Sequence, residues 1–526
     1  MDLDQRAGFS SDLQPLRSFL PTLLPVLGKK GDWYPSIWFE RKSNRSMSVN
    51  LKQTQVSDSF SSGVVLRIYD GYTLHEQASD DLEPSRLRQL AEEFAARVQG
   101  AKIHAQAISR PYPCPSWRER LKQVTEKEIL DQIGSLPAAN QEVHFGVRFQ
   151  KDPRGLTVEE ATVELKALLK RILAIASEEG LPAQELSYAL ARYSLAEEES
   201  LFIDSSVNIS QTLLRVAVTL VTMSGANRSI HRVGGLGGVE SLAVHDSEIL
   251  EMISDLKALK NAQRLAPGKY RVLFGPELSG VIAHEAFGHA QEGDTCARGR
   301  SRAWELHQSG EKVGNQNATI VNNPAIFKNA DRNHAAWGSY YFDEEGWFSS
   351  EQVLLKEGVL QSPMTNLTSA LRLGVPRTSN GKRETWANGV YTRQTNTYFS
   401  PGPYTLADLM KKLGDGFVAT QAAGGMEDPK GMGIQVGLGW LREVKDGALT
   451  GRVFRGAAGG DIQLTGYVPD VLNSIVAKSK IEAESEAPDT ARFPLNDSGG
   501  CGKYHKEFVN AGCGGPWMLL ENVTLG

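Results

Sequence analysis

The chain has 526 residues, of which 40% are hydrophobic and 23% charged, as in an ordinary globular protein. A chain of this length usually folds into more than one domain, so we expect two or three. The formal net charge of −5 disfavours a surface that tracks phosphate groups. We therefore expect no nucleic-acid partner.

The sequence also carries information about the compartment. Its most hydrophobic stretch, residues 213–223, is interrupted by Arg215, so no segment predicts a membrane-spanning helix. Residues 1–14 lack the basic end and apolar block of a secretory signal. Four cysteines are too few to staple a chain of this size with disulfides. These features predict a cytoplasmic protein without membrane contact.

The first part of the chain alternates between strand and helix patterns. Strand patterns occur at residues 38–41, 47–51 and 64–69, where apolar residues alternate with polar ones or form short runs. Apolar residues within 87–98 recur every three or four positions. They predict an amphipathic helix that ends before Gly100.

A second helix is marked at both of its ends. Thr157 and Glu160 have the spacing of a capping box, and Gly180 stands where a helix-terminating glycine is expected. Strand patterns resume over residues 185–221. Two blocks of strands, each associated with a helix, predict an N-terminal mixed α/β domain over residues 1–235.

The remainder of the chain is predicted to form a C-terminal domain over residues 236–526. The glycine-rich segment 231–240 favours a hinge, because it lacks the Lys-Ser/Thr ending of a phosphate-binding loop. A helix with an apolar face follows at residues 249–259. Beyond residue 340, short strand patterns broken by Gly, Pro and Asn predict a largely antiparallel, barrel-like sheet. The predicted fold class is therefore α+β.

A strand pattern, a Gly-Pro pair and a helix pattern precede two histidines in the C-terminal domain. The helix carries His284, Glu285 and His289. Imidazole is a good zinc ligand, and a catalytic zinc keeps one position open for water. A carboxylate beside that position can accept a proton from water and pass it to a leaving amine. The residue types therefore predict metal-assisted hydrolysis, with Glu285 as the base.

The spacing of the two histidines is unusual. In HExxH the histidines are four residues apart and share one face of a helix, whereas here His284 and His289 are five apart. At about 100° per residue, that separation places them about 140° apart on an ideal helix. Both can bind one metal only if the helix bulges or ends between them, and we expect Gly288 to permit this. The alternative is a polar helix with two histidines and no metal.

A catalytic zinc usually has three protein ligands, so a third must come from elsewhere in the chain. The candidates are Cys296, Cys501, Cys513, His334 and His505. Cys501 lies between glycines, where the backbone can approach a metal closely. Each cysteine could equally be a small buried apolar residue, and the residue types alone leave the choice open.

Five segments of the C-terminal half occur in a fixed order. They are HEAFGHAQEGD (284–294), TSNGKRETW (378–386), RQTNTYFSPG (393–402), GGMEDP (424–429) and SGGCGK (498–503). Together they resemble the HExxxH helix with its EGD, the GNGRRE, RxTNTYxxPG and GGxVDP segments, and the C-terminal cysteine loop of the TldD/PmbA family of metallopeptidases. The resemblance covers most of residues 270–526, and the N-terminal half is similar only in its layout of strands and helices.

This resemblance implies one zinc ion per active site, bound by His284, His289 and Cys501, with Glu285 as the base. It implies a peptidase that acts on short or unfolded peptides. It also implies an assembly of two subunits, either two copies or one copy with a related subunit that lacks the histidine motif. The chain keeps that motif and so resembles the active type. It departs from the family at Lys382, where the family has arginine.

Three side chains in these segments are candidates for binding substrate. Arg383, Arg393 and Asn396 offer donors and acceptors that suit a peptide backbone or a carboxylate. The alternative is that they tie loops together inside the domain. The acidic run 343–345 could bind a second metal, but its composition favours a solvated surface turn.

The sequence thus predicts a zinc-dependent peptidase, with two rivals. One rival is a partner-binding or regulatory protein with a structural metal, which a fourth side chain such as His505 or Cys513 would close. The position of Glu285 directly after a candidate ligand favours catalysis, because a structural site has no need of a base. The other rival is hydrolysis of a different amide-like bond.

Overall fold

The computed structural model describes residues 5–29, 33–99, 110–327, 335–480, 499–503 and 506–526. Over those ranges, no helix has both the length and the apolar character needed to cross a bilayer.

Strands and helices are numbered in chain order. The strands of the N-terminal half are β1 Gln5–Arg6, β2 Tyr34–Asn50, β3 Thr54–Tyr69, β4 Leu74–Ser79, β5 Glu142–Gly146, β6 Arg148–Phe149, β7 Tyr188–Ile203, β8 Asn208–Ser224 and β9 Asn227–Leu236. Those that follow are β10 Gln263–Arg264, β11 Gly268–Phe274, β12 Ile320–Asn322, β13 Gln352–Lys356, β14 Val359–Leu360, β15 Gly381–Lys382, β16 Tyr391–Thr392, β17 Asn396–Phe399, β18 Gly416–Ala419, β19 Ala422–Asp428, β20 Gly433–Leu438, β21 Leu441–Lys445, β22 Ala448–Arg455, β23 Ile462–Tyr467, β24 Ile475–Lys478, β25 Gly500–Lys503, β26 Lys506–Asn510, β27 Gly512–Gly514 and β28 Met518–Leu525. The α-helices are α1 Gln14–Phe19, α2 Leu24–Leu27, α3 Pro84–Gln99, α4 Trp117–Leu121, α5 Lys127–Ile133, α6 Val158–Glu178, α7 Asp246–Leu259, α8 Pro276–Ala283, α9 Gly293–Ala297, α10 Ala303–Ser309, α11 Leu367–Leu373, α12 Leu406–Leu413 and α13 Val468–Asn473.

The N-terminal half is built on a seven-stranded sheet in the order β4-β3-β2-β7-β8, with β5 and β9 both beside β8. The two predicted strands at 38–41 and 47–51 belong to one long strand, β2, apart from the last residue. Cross-strand charge pairs stabilise the polar middle of this strand, because Arg41 and Lys42 lie opposite Glu199 and Glu198 of β7. The sheet is antiparallel except where β5 pairs with β8.

Both predicted helices of the N-terminal half are confirmed. Helix α6 begins with a reciprocal capping box between Thr157 and Glu160, and Gly180 follows it with a φ of 73°. Its apolar face and that of α7 pack on β2, β7 and β8 in one buried cluster. Helix α3 buries its apolar face in a second cluster with β2 and β3.

The glycine-rich segment 231–240 is not a hinge, contrary to the prediction. Gly234 and Gly235 lie inside β9 and pair with Ala217 and Val216 of β8. A Cβ at Gly238 would lie 2.5 Å from the carbonyl oxygen of Lys151. The glycines therefore allow close backbone packing rather than domain movement.

The position of α7 bears on the domain boundary. The predicted boundary after residue 235 assigns α7 to the C-terminal domain, yet its Ile249, Ile253 and Leu256 lie in the N-terminal core. We therefore propose that the boundary falls after Leu259.

Two sheets and a helix make up the C-terminal core. A ten-stranded sheet has the order β10-β22-β21-β18-β11-β28-β23-β20-β19, with β24 beside β28, and a five-stranded sheet has the order β14-β13-β12-β17-β27. The largest buried cluster contains residues of both sheets and of α8, so α8 lies between them. The predicted α+β fold with a largely antiparallel C-terminal part is confirmed, although β10–β22, β11–β18 and β17–β27 are parallel pairs.

The acidic run 343–345 is buried, not a solvated turn as predicted. Asp343, Glu344 and Glu345 are each at most 1% exposed. They escape a prohibitive desolvation cost because arginine and lysine side chains face them, including Arg377 on Glu345 and Lys382 on Glu344. The run joins the C-terminal part to the N-terminal sheet, since the aromatic residues around it pack on that sheet.

Candidate metal centre

The two histidines lie on a helix that bulges between them, as their spacing predicts. Helix α8 ends at Ala283 and continues as a π-helical turn over His284–Gly288, in which the backbone N–H of His289 donates to the carbonyl of His284. This bond joins residues five apart and so brings His289 onto the same side as His284. The two imidazole rings lie 4.8 Å apart between centroids.

Gly288 is needed at the bulge, but for a different reason from the one predicted. Its φ is −63°, which any residue can adopt. A Cβ at this position would lie 2.1 Å from Oε1 of Gln394. The glycine therefore makes room for Gln394, whose amide reaches the carbonyl of His284.

Cys501 lies close to both histidines and completes a group of three side chains that could hold a metal. Its Sγ lies 3.0 Å from Nε2 of His289 and 3.2 Å from Nε2 of His284. It sits on β25, where Cys501 and Lys503 are buried and the two glycines at 500 and 502 are exposed, as the alternation of a strand requires.

The two other cysteines among the third-ligand candidates are not part of this group. Cys296 is buried with its Sγ against the carbonyl of Ala290. Cys513 lies on β27 and borders a large cleft next to the histidines. Neither contributes to the set of closely spaced donor atoms around the histidines. His334 and His505 lie outside the described residues.

The donor set fits zinc in type and spacing. Two imidazole nitrogens and a thiolate are zinc ligands, and tetrahedral zinc with bonds of about 2.1–2.3 Å separates such atoms by about 3.5 Å. The distances at Cys501 are within a few tenths of an ångström of that value, so a small outward movement would admit the ion. Burial alone would raise the pKa of the Cys501 thiol, but His289 and His284 hold it well below its usual value. The thiolate form that binds metal is thus favoured.

Glu285 lies beside the donors, and one of its two carboxylate oxygens, Oε2, has no hydrogen-bond partner among the described residues. It is 7% exposed. Burial raises the pKa of Glu285 to about 7, and a hydrogen bond with Glu427 acts in the same direction. A carboxylate with such a pKa can both accept and return a proton near neutral pH.

Glu427 and Gly425 were not singled out from the sequence. Both lie on β19, and a Cβ at Gly425 would lie 2.6 Å from Cγ of Glu285. A carboxylate oxygen of Glu427 lies within 4.8 Å of donor atoms of Glu285 and His289. The available signal was an acidic residue two positions after the paired glycines of the GGMEDP segment.

The centre opens into a large cleft of about 1410 Å³. The N-terminal half contributes β9 and α7 to its walls, and the C-terminal half contributes β19 and the glycines around Cys501. A cleft of this size can hold several residues of a peptide.

The three predicted substrate-binding residues are all buried in contacts with the protein. Arg383 donates to Glu76 and to the carbonyl of Asn388, and the side chain of Asn396 bonds to three neighbouring residues. Arg393 contacts Cys501 and Glu292. None of the three borders the cleft. These contacts favour the alternative prediction, in which the side chains tie loops together.

Carboxylates and cations surround the donors on the buried side. Glu292 lies 3.3 Å from Nδ1 of His289 and 2.9 Å from Nζ of Lys503. Burial opposes ionisation of Glu292, but Lys503 and His289 hold its pKa below the usual range. A buried His-His-Cys set with an adjacent glutamate, facing a cleft, defines a candidate metal-dependent hydrolase.

Comparison with known proteins identifies the family. Residues 267–526 match the family described as PmbA/TldA metallopeptidase C-terminal domain. A metalloprotease of Methanothermobacter thermautotrophicus is 29% identical over 338 residues, which are 63% of this chain and 68% of that protein. A zinc metalloprotease TldD homolog of Saccharolobus solfataricus is 29% identical over 164 residues, 31% of this chain and 35% of that protein.

The fold has a counterpart among solved structures. TldE from Thermococcus kodakarensis superimposes with a TM-score of 0.66 at 15% identity, covering 97% of this chain and 100% of that chain. The C-terminal residues 267–526 belong to the PmbA/TldD family, as their motifs indicate. At the level of that family, the names of the relatives support a metallopeptidase role.

Proposed function

We propose that this protein is a zinc-dependent peptidase that cleaves short or unfolded peptides, with Glu285 as the catalytic base. The observation that carries the proposal is the pairing of a three-donor set with a buried carboxylate that faces the same cleft. His284, His289 and Cys501 would hold the ion.

Glu285 performs the proton transfers of the proposed reaction. Zinc bound by the three donors would supply a Lewis acid that activates water and polarises the scissile carbonyl. Glu285 would take the proton from the attacking water and deliver it to the leaving nitrogen. Gly425 packs against the base and limits its positions.

Strand β19 supplies a surface for the substrate backbone. It is the last strand of the ten-stranded sheet, and among the described strands only β20 pairs with it. Its residues are mostly exposed and border the cleft beside Glu285. An extended peptide can add to such an edge through backbone hydrogen bonds, which do not depend on side chains. A folded domain has no free strand to offer, and this supports short or unfolded substrates.

The number of donors favours catalysis over a structural metal. A structural zinc site is closed by four side chains. In the part of the chain that the structure describes, the group around the histidines has three closely spaced donors. An ion held by these three donors would have a position left for water, and Glu285 could act as the base beside it.

Cleavage of an unstructured peptide, measured together with bound zinc, tests this function. Glu285→Gln should retain zinc and lose turnover by a factor of about 100 to 10,000, because only the base is removed. Glu251→Gln removes a carboxylate from the cleft wall on α7 and should cleave normally. A Glu285→Gln protein that still cleaves at the wild-type rate would exclude the assigned base, and a wild-type protein without zinc would exclude the metal site.

We further propose that the active form contains two subunits, as the family resemblance implies. The similarity to TldE favours a heterodimer with a related subunit, and a homodimer is the alternative. Analytical ultracentrifugation of the purified chain distinguishes a monomer that awaits a partner from a homodimer. The cytoplasmic location stays a prediction.

A further inference from the structure

Glu292 is a fully buried carboxylate with contacts on both of its oxygens. Its Oε2 lies 3.3 Å from Nδ1 of His289 and 2.9 Å from Nζ of Lys503. Its Oε1 accepts from Nε of Arg393 at 3.3 Å and from the backbone N–H of Gln394 at 3.1 Å. One side chain thus joins the helix that carries the histidines to two other segments of the chain.

Arg393 and Lys503, the two cations that contact Glu292, also lie next to Cys501. Nη2 of Arg393 donates to the carbonyl oxygen of Cys501 at 3.0 Å and to its Sγ at 3.1 Å. Lys503 points to the same side of β25 as Cys501, because the two residues are two positions apart on a strand. Nζ of Lys503 also lies 2.8 Å from Oδ1 of Asp294. The contacts therefore form a closed ring from His289 through Glu292 to Cys501.

We propose that Glu292 is a positioning residue that sets both His289 and Cys501 for metal binding, with Arg393 and Lys503 as its links to the cysteine. The proposal rests on the zinc site described under the proposed function and adds the residues that fix the ligands. It also gives Arg393 a defined role in place of the predicted contact with substrate.

The physical basis for the histidine is the choice of ring nitrogen. A carboxylate that accepts a hydrogen bond from Nδ1 keeps the proton there and leaves Nε2 as the ligand. Nε2 of His289 is the atom that faces Cys501. Glu292 thus holds both the tautomer and the orientation of the ring.

The physical basis for the cysteine is charge and anchorage. A guanidinium at 3.1 Å from Sγ stabilises the thiolate and restricts its rotation. Lys503 holds β25 to the helix segment through two carboxylates, Glu292 and Asp294. The two-stranded sheet of β25 and β26 is separate from the large sheets, and these ion pairs are among the contacts that attach it.

The test measures zinc affinity in the full-length chain by competition with a chromophoric chelator. The variants are Glu292→Gln and Arg393→Lys, which change hydrogen bonding with little change in volume. The matched controls are Glu345→Gln and Arg67→Lys, which alter another buried glutamate–arginine pair, at the N-terminal sheet. Thermal unfolding is recorded for all four, and the thiolate-to-metal absorption band is recorded after loading with cobalt(II).

Each test variant should bind zinc about 10- to 100-fold more weakly than the wild type, the usual effect of removing a partner of a metal ligand. The cobalt band should shift or weaken in Arg393→Lys, because the guanidinium contacts Sγ directly. The controls should lose thermal stability to a similar extent and keep wild-type zinc affinity.

The proposal is overturned if Glu292→Gln and Arg393→Lys bind zinc as tightly as the wild type, whatever their thermal stability. It is also overturned if the controls lose zinc affinity equally, since the effect would then be general destabilisation. A wild-type chain that binds no zinc overturns the proposed function itself, which is a different result from equal affinities.

Discussion

Two clusters of side chains with metal-ligand atoms in this molecule differ in how their charges are compensated. Near the junction of the two halves, carboxylate oxygens of Glu40, Glu198 and Glu344 lie within 4.8 Å of one another, as do the donor atoms of the His-His-Cys set. In the glutamate cluster, lysines occupy the space between the acids: Nζ of Lys42 lies 2.8 Å from Glu40, and Nζ of Lys382 lies 2.9 Å from Glu344.

The difference between the clusters is one of charge compensation. Glu198 also pairs with the buried Arg215, so the protein's own cations neutralise the glutamate cluster. At the metal centre the Cys501 thiolate contacts the guanidinium of Arg393, but its other close neighbours are the imidazoles of His284 and His289, which can themselves bind a metal. The glutamate cluster offers only carboxylates that already pair with lysine and arginine, so closeness of ligand atoms alone does not predict a metal.

The largest expected effect separates the two clusters by metal content. Cys501→Ala should lower zinc affinity by about 100-fold or more and abolish cleavage, because a three-donor site loses its thiolate. Glu344→Gln, in the glutamate cluster, should leave one zinc per chain. Elemental analysis after dialysis measures both, and loss of zinc from Glu344→Gln would show that the glutamate cluster also holds metal.

The next effect is on stability. Glu198→Ala leaves Arg215 buried with one of its partners removed, and breaking such a pair costs about 3–5 kcal/mol in free energy of unfolding. Urea unfolding measures the loss. Zinc content per folded chain should not change. A loss below about 1 kcal/mol in free energy of unfolding would mean that water solvates Arg215 and that the cluster is not buried in solution.

The glutamate cluster should also give the stability an acid-dependent component. Burial opposes ionisation of Glu198, but Lys42 and Arg215 lower its pKa to about 2. A pKa lower in the folded state stabilises the protein above the unfolded value of about 4.3, and that stability is lost as the pH falls towards 2. Glu198→Gln should flatten the fall in unfolding free energy between about pH 4.3 and about pH 2, the window between these values. An unchanged slope would assign the acid sensitivity to other carboxyls.

The smallest expected effect sharpens the assignment of the base. Gly425→Ala places a Cβ 2.6 Å from Cγ of Glu285 and must displace that side chain. Turnover should fall about tenfold, or about 1.4 kcal/mol in activation free energy, with zinc affinity unchanged. Gly433→Ala on β20, whose Cβ would lie 3.7 Å from its nearest neighbour, is the control. Equal rates in the two variants would argue against a role for Glu285 in turnover.

The sequence predicted those features that depend on local spacing. The capping box at Thr157 and the bulge between His284 and His289 follow from residues within five positions of one another. The choice of Cys501 among five candidates needed the family resemblance, because it lies 212 residues from His289. Spacing carries no information over that distance.

Burial of charge was the main source of error. The run 343–345 looks like a surface turn because its partners, such as Arg67 and Arg377, come from distant parts of the chain. Arg383 and Arg393 look available for substrate for the same reason. Charged residues are predicted as exposed unless their partners are known, and those partners are defined only by the tertiary fold.

The long separation of the ligands also sets an order of events during synthesis. His284 and His289 leave the ribosome more than 200 residues before Cys501. A nascent chain therefore carries two of the three proposed donors while about 200 further residues are added. We expect zinc to be acquired only after β25 has been made, which ribosome-stalled chains ending before and after Cys501 would reveal by their zinc content. Under the proposed function, a peptidase assembled in this order would be inactive while its own unfolded segments, and those of neighbouring nascent chains, are close to it.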